Sequence, residues 1–322
     1  MTSKESLPLP EYSVVVPCYN EGENLRVFHE RLFNVMQMTG KTWEVVYVND
    51  GSTDDTAEVI TALGEKADNI AYLNLSRNFG KEICLTAGLD HARGTDAVII
   101  IDADLQDPPE VITDLIAAYK DVDTVYAQRR SRKTDSWLKR LTAFVFYRVM
   151  VGLSNRITIP PDTGDFRLIS RRALDALLSL RERHRFMKGL FAWIGFPSRA
   201  VLYDRDARYG GYSSFNYWKL WNFALEGITS FTTVPLKIAT YIGLITSTVA
   251  LFYGTFLLIR TLIFGNSVSG YPSLMTAILF LGGIQLMAMG IIGEYLGRVF
   301  NETKQRPLYI VERYVNNSKK WD

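Results

Sequence analysis

The chain has 322 residues, of which 48% are hydrophobic, and its formal net charge is +2. This length allows one large core or two domains. So small a net charge, without a long basic run, excludes the electrostatic stripe that nucleic-acid binding needs. Cys18 and Cys84 lie in or beside apolar stretches, which predicts buried thiols and no disulfide framework.

Residues 11 to about 128 alternate short β-branched runs with helical periodicity, a pattern typical of a parallel sheet flanked by helices. The predicted strands cover residues 12–17, 43–49, 70–75, 97–102 and 124–127. Predicted helices follow the first four strands, and the first helix has Asn20 and Glu23 as candidate capping residues. We therefore predict a doubly wound, mostly parallel α/β domain.

Acidic residues follow the fourth predicted strand, where the sequence reads Asp102-Ala103-Asp104. Ligands of such sheets bind beyond the carboxyl ends of the strands. Two carboxylates at this turn can share a hard divalent cation that takes its other ligands from substrate phosphates. The pattern therefore indicates a diphosphate site, although an Asp-x-Asp sequence alone also occurs as ordinary turn chemistry.

The loops after the first two predicted strands converge on the same edge of the sheet. Asp50 can accept hydrogen bonds from a base or a ribose, and Pro17 and Tyr19 can form a wall against a flat ring. Glu21 can hold an amide or a hydroxyl. A plain helix-capping turn is the alternative for the residues around Asp50. The sequence has no G-x-G-x-x-G motif, which argues against dinucleotide binding.

Two apolar stretches, residues 238–263 and 274–299, are each long enough to cross a bilayer. Basic residues lie on both outer flanks and the joining segment has no charge, so both flanks are predicted to be cytoplasmic. A buried helical hairpin in a soluble protein is the alternative. Glu294 lies four residues before Arg298, which predicts an ion pair within one helix. The aromatic residues of segment 211–235 predict a helix in the membrane interface or, alternatively, a packed connector.

Four segments carry a resemblance to a known family. They are Val16-Pro17-Cys18-Tyr19-Asn20-Glu21, Asn74-Leu75-Ser76-Arg77-Asn78-Phe79-Gly80-Lys81, Asp102-Ala103-Asp104-Leu105-Gln106-Asp107-Pro108-Pro109 and Thr163-Gly164-Asp165-Phe166-Arg167-Leu168. They resemble the GT-A fold glycosyltransferases of family 2, and among these the polyprenyl-phosphate sugar transferases. That group includes dolichol-phosphate mannose synthases and bactoprenol (undecaprenyl-phosphate) glucosyltransferases, and the second branch is the more similar.

The resemblance implies roles for particular residues. The nucleotide-sugar site would contain Pro17, Tyr19, Glu21, Val48, Asp50, Asp102, Ala103, Arg129 and Arg208. Mg²⁺ or Mn²⁺ would be held by Asp102, Asp104 and Gln106. The acceptor phosphate would meet Arg129, Arg130 and Arg167. The catalytic carboxylates would be Asp104 and Asp165.

The expected function is transfer of one sugar, glucose in this branch, from a UDP-sugar to a polyprenyl phosphate with inversion. N-acetylglucosamine, galactose and mannose remain alternatives. A processive polysaccharide synthase and a nucleotide-sugar-binding membrane scaffold are the rival functions. The scaffold is disfavoured because Asp102, Asp104 and Asp165 are all retained.

The resemblance and the composition together predict a cytosolic GT-A domain, interfacial helices, two transmembrane helices and a cytosolic C-terminal tail. The respective ranges are residues 1–210, 211–235, 236–300 and 301–322. The expected location is the cell inner membrane, with the catalytic domain and both termini in the cytoplasm. The resemblance also implies a homo-oligomer, for which a tetramer is one arrangement.

Overall fold

The computed structural model describes residues 9–130, 160, 163–205, 234–264 and 270–316. The chain divides into two compact units. The first combines Met1–Phe223 with Arg306–Asp322, and the second is Ala224–Gln305. Arg208 and most of the interfacial segment 211–235 lie outside the described residues.

The described residues of the first unit form one eight-stranded sheet. Its strands are β1 (Tyr12–Cys18), β2 (Trp43–Asn49), β3 (Ile70–Leu75), β4 (Ala97–Ile100), β5 (Thr124–Arg129), β6 (Thr163–Ser170), β7 (Ser198–Tyr203) and β8 (Val311–Asn316). The helices of this unit are α1 (Gly22–Met38), α2 (Thr56–Lys66), α3 (Lys81–His91), α4 (Val111–Ala118), α5 (Arg171–Ser179) and α6 (Met187–Trp193).

The strand order is β7-β5-β6-β4-β1-β2-β3-β8. Strands β4, β1, β2 and β3 pair in parallel, as do β5 and β7. Strand β6 is antiparallel to both β4 and β5, and β8 is antiparallel to β3. The sheet is therefore mixed and mostly parallel, which confirms the predicted fold class.

The five predicted strands are all present, with small differences at their ends. Strand β4 ends at Ile100, two residues earlier than predicted, and β5 continues to Arg129. The predicted capping of α1 is wrong: Glu21 is the N-cap residue and its side chain makes no capping bond. Instead, the Asn20 side chain accepts a hydrogen bond from the Thr53 amide at 2.9 Å, which ties two loops together.

Helix α3 packs unusually close to the sheet because of Gly88. A Cβ at this position would lie 2.4 Å from Val15 Cγ1 and 3.0 Å from Val48 Cγ2. Both valines are fully buried. Close packing here fixes the first residue of α3 relative to the carboxyl ends of β1 and β2, which is where ligands of such sheets bind.

The C-terminal segment contributes a strand to the sheet. Residues 301–322 were expected to be a tail, but Val311–Asn316 forms β8 on the free edge of β3. Tyr309 donates a hydrogen bond to the Asp90 carboxylate at 2.8 Å, and the Tyr314 ring packs against His91. The chain therefore returns to the first unit after the apolar segment.

The second unit contains two long apolar helices, α7 (Val234–Phe264) and α8 (Tyr271–Thr303), which contact each other. The stretches Leu236–Phe256 and Phe280–Thr303 are long and apolar enough to cross a membrane. Glu294 and Arg298 form the predicted ion pair at 3.1 Å. Neither apolar stretch is buried within the described structure, unlike the core helices of a soluble protein.

Candidate active site

Asp50 fixes the start of α3 at the carboxyl edge of the sheet. Its Oδ1 accepts a hydrogen bond from the Phe79 amide at 2.7 Å, and its Oδ2 accepts one from the Gly80 amide at 3.0 Å. The carboxylate thereby satisfies backbone donors next to the first turn of the helix. Burial raises the pKa of Asp50, and the two amides oppose that shift. The next residue, Lys81, is consequently held beside the ends of β1 and β4.

Glycine is required immediately after Asp50. Gly51 has a φ of +64°, and a Cβ on it would lie 2.5 Å from the Arg77 carbonyl carbon and 2.6 Å from the Asn78 nitrogen. Only glycine combines this conformation with such a close approach. The loops after β2 and β3 therefore pack directly against each other.

The Lys81 ammonium lies between two carboxylates. Its Nζ is 2.5 Å from Asp102 Oδ2, just after β4, and 3.0 Å from Asp165 Oδ2 on the neighbouring strand β6. The side chain of Asp102 is 22% exposed, and that of Asp165 is 8% exposed. The fold thus brings together Asp102, a predicted metal ligand, and Asp165, a predicted catalytic carboxylate, around a lysine that the sequence analysis did not assign.

The charged neighbours of Asp165 determine its ionisation. Burial raises its pKa, but Lys81, Lys188 and Arg167 outweigh burial and hold the pKa of Asp165 well below its usual range. Its Oδ1 is buried and has no hydrogen-bond partner among the described residues. Asp165 is therefore an ionised carboxylate with an unsatisfied acceptor oxygen. Burial raises the pKa of Asp102, and Lys81 opposes that shift.

The Asp-x-Asp turn is tightly folded. Leu105 has a φ of 58°, which is uncommon for a branched side chain, and it is buried in the core. Asp104 is also buried, and its Oδ1 accepts a hydrogen bond from the Gln106 amide at 3.1 Å. The side chain of Ala103 is buried in the core. Asp107 accepts a hydrogen bond from the Tyr203 hydroxyl at 2.5 Å, which ties this turn to the end of β7.

Arg167 is buried beside Asp165. Its Nη2 donates to the Gly164 carbonyl at 2.9 Å, and its guanidinium stacks on the Phe191 ring at 3.7 Å. Burial lowers the pKa of Arg167 to about 10, so it is charged at neutral pH. This arrangement places a fixed positive charge next to the Asp165 carboxylate.

Glu82 and Lys188 complete the cluster, and the sequence analysis assigned no role to either. Glu82 Oε2 accepts a hydrogen bond from the Met187 amide at 3.0 Å, which joins α3 to α6. Burial, together with the charge of Asp165, raises the pKa of Glu82 to about 7. Burial lowers the pKa of Lys188. Glu82 directly follows a segment that resembles the family and ends at Lys81, and this position is the signal that could have identified it.

Of the residues predicted to contact the nucleotide, only some lie at the carboxyl edge of the sheet. Tyr19 follows β1 and is 47% exposed, and Pro17 is partly exposed near the end of the same strand. Glu21 Oε2 accepts a hydrogen bond from the Asn24 side chain at 2.7 Å. The Val48 side chain, by contrast, is fully buried under α3 and does not face the edge.

The two arginines at the end of β5 have different surroundings. Arg129 is partly buried and hydrogen-bonds to Tyr203. Arg130 is exposed, and its Nη1 lies 2.9 Å from Asp204 Oδ2. Arg129 is therefore the better placed of the two to face the Asp-x-Asp turn.

The donor atoms at the turn suit a hard cation, but they are few. Asp102 and Asp104 supply carboxylate oxygens and Gln106 an amide oxygen. Across the described residues, no three or more His, Cys, Asp or Glu side chains are grouped so as to hold a metal. A divalent cation here would need further oxygen ligands, and Mg²⁺ commonly takes such ligands from substrate phosphates. The residues thus fit a cation that binds together with a diphosphate.

Comparison with known proteins identifies the family. Residues 13–178 match Glycosyl transferase family 2, and residues 234–299 match the GtrB C-terminal hairpin. This chain is a family 2 glycosyltransferase. The first range covers strands β1 to β6 and the acidic turn, and the second covers α7 and most of α8.

Relatives of this glycosyltransferase match nearly its whole length. A Synechocystis glycosyltransferase described as uncharacterized is 53% identical, covering 94% of both chains. A prophage bactoprenol glucosyl transferase homolog of Escherichia coli is 49% identical, covering 94% of this chain and 98% of its own. An SfII prophage-derived bactoprenol glucosyl transferase of Shigella flexneri is 48% identical, covering 94% and 97%. Together with the two apolar helices, these relationships make the glycosyltransferase a membrane-associated protein.

Among solved structures, the glycosyltransferase resembles glucosyl-3-phosphoglycerate synthase from Mycobacterium tuberculosis, determined with Mn²⁺, uridine diphosphate and glucosyl-3-phosphoglycerate. The identity is 19%, the coverage is 68% of this chain and 78% of that chain, and the TM-score is 0.46. This similarity is too low to carry a functional argument.

Proposed function

We propose that this glycosyltransferase moves one glucose from UDP-glucose to undecaprenyl phosphate or a similar polyprenyl phosphate, with inversion at the anomeric carbon. The names of the relatives from Escherichia coli and Shigella flexneri support the sugar and the lipid carrier. The structural observation that carries the proposal is the convergence of Asp102 and Asp165 on one cationic group at the ligand-binding edge of the sheet.

The proposed reaction needs no strong base. An oxygen of the acceptor phosphate attacks the anomeric carbon of glucose, and the bond from this carbon to the diphosphate oxygen breaks. UDP leaves with the electron pair of that bond. Because a phosphate monoester is largely ionised near neutral pH, no proton has to be removed from the nucleophile. Asp165, which is ionised and has an unsatisfied oxygen, would orient the acceptor side of the site.

The leaving diphosphate accumulates negative charge during the reaction. Asp102, Asp104 and Gln106 would hold Mg²⁺ or Mn²⁺ against it, and such a cation supplies charge stabilisation. Arg129 and Arg208 would contact phosphate oxygens of the donor, and Arg129, Arg130 and Arg167 those of the acceptor. Positive groups that act on the developing charge stabilise the transition state more than the ground state, which accelerates the reaction.

The nucleoside would lie against the loops after β1 and β2. Pro17, Tyr19 and Glu21 would contact the base and ribose. Asp50 would contribute through its control of the α3 start and through its remaining acceptor capacity. Asp102 and Ala103, at the adjoining turn, would complete the donor site, with Val48 supporting it from beneath.

We further propose that α7 and α8 cross the cell inner membrane and that both flanks are cytoplasmic. Two crossings return the chain to the side from which it entered. The pairing of β8 with β3 supports this topology, because residues after α8 belong to the same sheet as residues before α7. The domain boundaries expected from the sequence are part of the same proposal, except that Val311–Asn316 belongs to the sheet of the first unit and not to a separate tail. Assembly into a homo-oligomer such as a tetramer is also proposed.

A donor screen tests the proposed function. Purified full-length protein is incubated with undecaprenyl phosphate, Mg²⁺ or Mn²⁺, and labelled UDP-glucose, UDP-N-acetylglucosamine, UDP-galactose or GDP-mannose in parallel. The expected result is a single lipid-soluble product that forms fastest with UDP-glucose. A soluble labelled polymer would support a polysaccharide synthase instead, and nucleotide-sugar binding without transfer would support a scaffold.

A further inference from the structure

Lys81 occupies the space between the two carboxylates of the proposed site with its own positive charge. The Nζ atom is 2.5 Å from Asp102 Oδ2 and 3.0 Å from Asp165 Oδ2. Neither carboxylate is more than 22% exposed, so the two charges would repel each other strongly without a cation between them. In this structure the lysine ammonium is that cation.

The Lys81 side chain can move away from the two carboxylates without disrupting the start of α3. The side chain is 48% exposed, although its charged end reaches the two carboxylates. Lys81 is the first residue of α3. The amides of the two preceding residues, Phe79 and Gly80, donate hydrogen bonds to Asp50, and these bonds do not involve the Lys81 side chain. The long flexible stem can therefore redirect the ammonium while the helix stays in place.

A divalent cation bound by Asp102 has to compete with this ammonium. The described residues supply too few grouped ligands to hold a metal alone. The free energy of metal binding is therefore too small to displace Lys81 when no nucleotide is bound. A nucleoside diphosphate changes the balance in two ways. Its oxygens provide further metal ligands, and its negative charge provides a new partner for the displaced ammonium.

We propose that Lys81 is an internal competitor for the divalent cation, which keeps the metal from binding Asp102 until a nucleoside diphosphate arrives. This inference rests on the proposed function and extends it, because it specifies how binding of metal and donor is coupled. The metal and the nucleotide then bind cooperatively, and the free enzyme does not hold the metal at the site. Lys81 is a positioning residue that acts through Asp102 and Asp165.

Mn²⁺ binding by the full-length protein tests the proposal without any sugar transfer. Free Mn²⁺ is measured by electron paramagnetic resonance during titration, with and without UDP. Wild-type protein is expected to bind Mn²⁺ at least about tenfold more tightly with UDP than without it. Lys81→Met, which keeps the stem and removes the charge, is expected to bind Mn²⁺ without UDP at least about tenfold more tightly than wild type.

Two control variants separate charge competition from other effects. Lys81→Arg keeps the positive charge and is expected to retain the dependence on UDP. Lys41→Met removes an ammonium with similar exposure, 44%, that lies 2.6 Å from Glu11 Oε1 at a distant part of the chain. It is expected to bind Mn²⁺ as wild type does.

Three results of the Mn²⁺ titrations would overturn the proposal. Equal Mn²⁺ affinity of wild-type protein with and without UDP would overturn it, and this measurement does not depend on any variant folding. Unchanged or weaker binding by Lys81→Met would also overturn it, while the proposed function would stand if UDP still promoted binding to wild type. Absence of Mn²⁺ binding under every condition would overturn both the competition and the proposed metal site.

Discussion

The two edges of the sheet each carry a buried carboxylate, and the two carboxylates differ in how many hydrogen bonds they accept. At the amino edge, Glu44 is buried and accepts hydrogen bonds from Ser13 Oγ at 2.6 Å and from Arg93 Nη2 at 2.6 Å. Arg93 also donates its amide and Nε to the same carboxylate. At the carboxyl edge, Asp165 leaves one buried oxygen without a partner among the described residues.

This difference separates a structural charge from a functional one. A buried carboxylate whose oxygens are saturated stabilises the fold and has little left to offer a ligand. A buried carboxylate with an unsatisfied oxygen is costly to the fold unless a ligand completes it. We therefore expect substitutions at the carboxyl edge to change activity, and substitutions at the amino edge to change stability.

The largest expected effect is loss of transfer in Asp165→Asn. The variant removes the ionised carboxylate but keeps its shape, so transfer should fall by about 10³-fold while the melting temperature stays within about 4 °C of wild type. Rates of lipid-linked product formation and thermal unfolding in detergent measure the two quantities. A large drop in melting temperature with normal specific activity would contradict the functional role of Asp165 and make it a structural residue.

At the opposite edge, Glu44→Gln should destabilise the protein by about 3 kcal/mol, because it leaves the Arg93 charge without its buried partner. Transfer per folded molecule should remain near the wild-type value. Denaturant unfolding, with activity normalised to the folded fraction, provides the check. Equal stability of this variant and wild type would show that the amino-edge network is not structural.

The charge of Glu82 should make stability depend on pH. Its pKa in the folded protein is about 7, above the ordinary value of 4.5, so the folded state binds more protons between these values. The contribution to stability is therefore present below pH 4.5 and is lost as the pH rises to about 7. Glu82→Gln should remove this component when melting temperatures are compared between acidic and neutral buffers. An identical pH profile in both proteins would contradict the assignment.

The smallest expected effect belongs to the exposed pair of Arg130 and Asp204. An exposed ion pair contributes less than about 1 kcal/mol, so Asp204→Asn should change the unfolding free energy by no more than that. Arg130→Gln should do the same, and any additional increase in the KM for the lipid acceptor would reveal a contact with the acceptor phosphate. Equal KM values in the two variants would remove Arg130 from the acceptor site.

Local patterns were sufficient to predict the parallel strands and the apolar hairpin. Strands β1 to β5 each appear in the sequence as a short, mostly apolar run, whereas β6 and β7 were not predicted. The length of α7 and α8 follows from long apolar stretches with few charged residues. The position of Asp102 could also be predicted, because it directly follows such a run. These features depend on residues that are close together in the sequence.

Features that depend on distant pairing could not be predicted in the same way. Strand β8 has the mixed sequence Val-Glu-Arg-Tyr-Val-Asn, and nothing local indicates that its partner is β3. The ion pairs of Lys81 join α3 to residues after β4 and within β6, and they exist only because β6 pairs with β4. The burial of Val48 under Gly88 likewise depends on how α3 packs.

The most direct test of the central claim is a single transfer reaction with two acceptors. Wild-type protein receives labelled UDP-glucose and Mn²⁺ together with either undecaprenyl phosphate or undecaprenol, which lacks the phosphate nucleophile. The account predicts label in the lipid extract with undecaprenyl phosphate and none with undecaprenol. Equal labelling of both lipids, or label found only as free glucose in the aqueous phase, would contradict it.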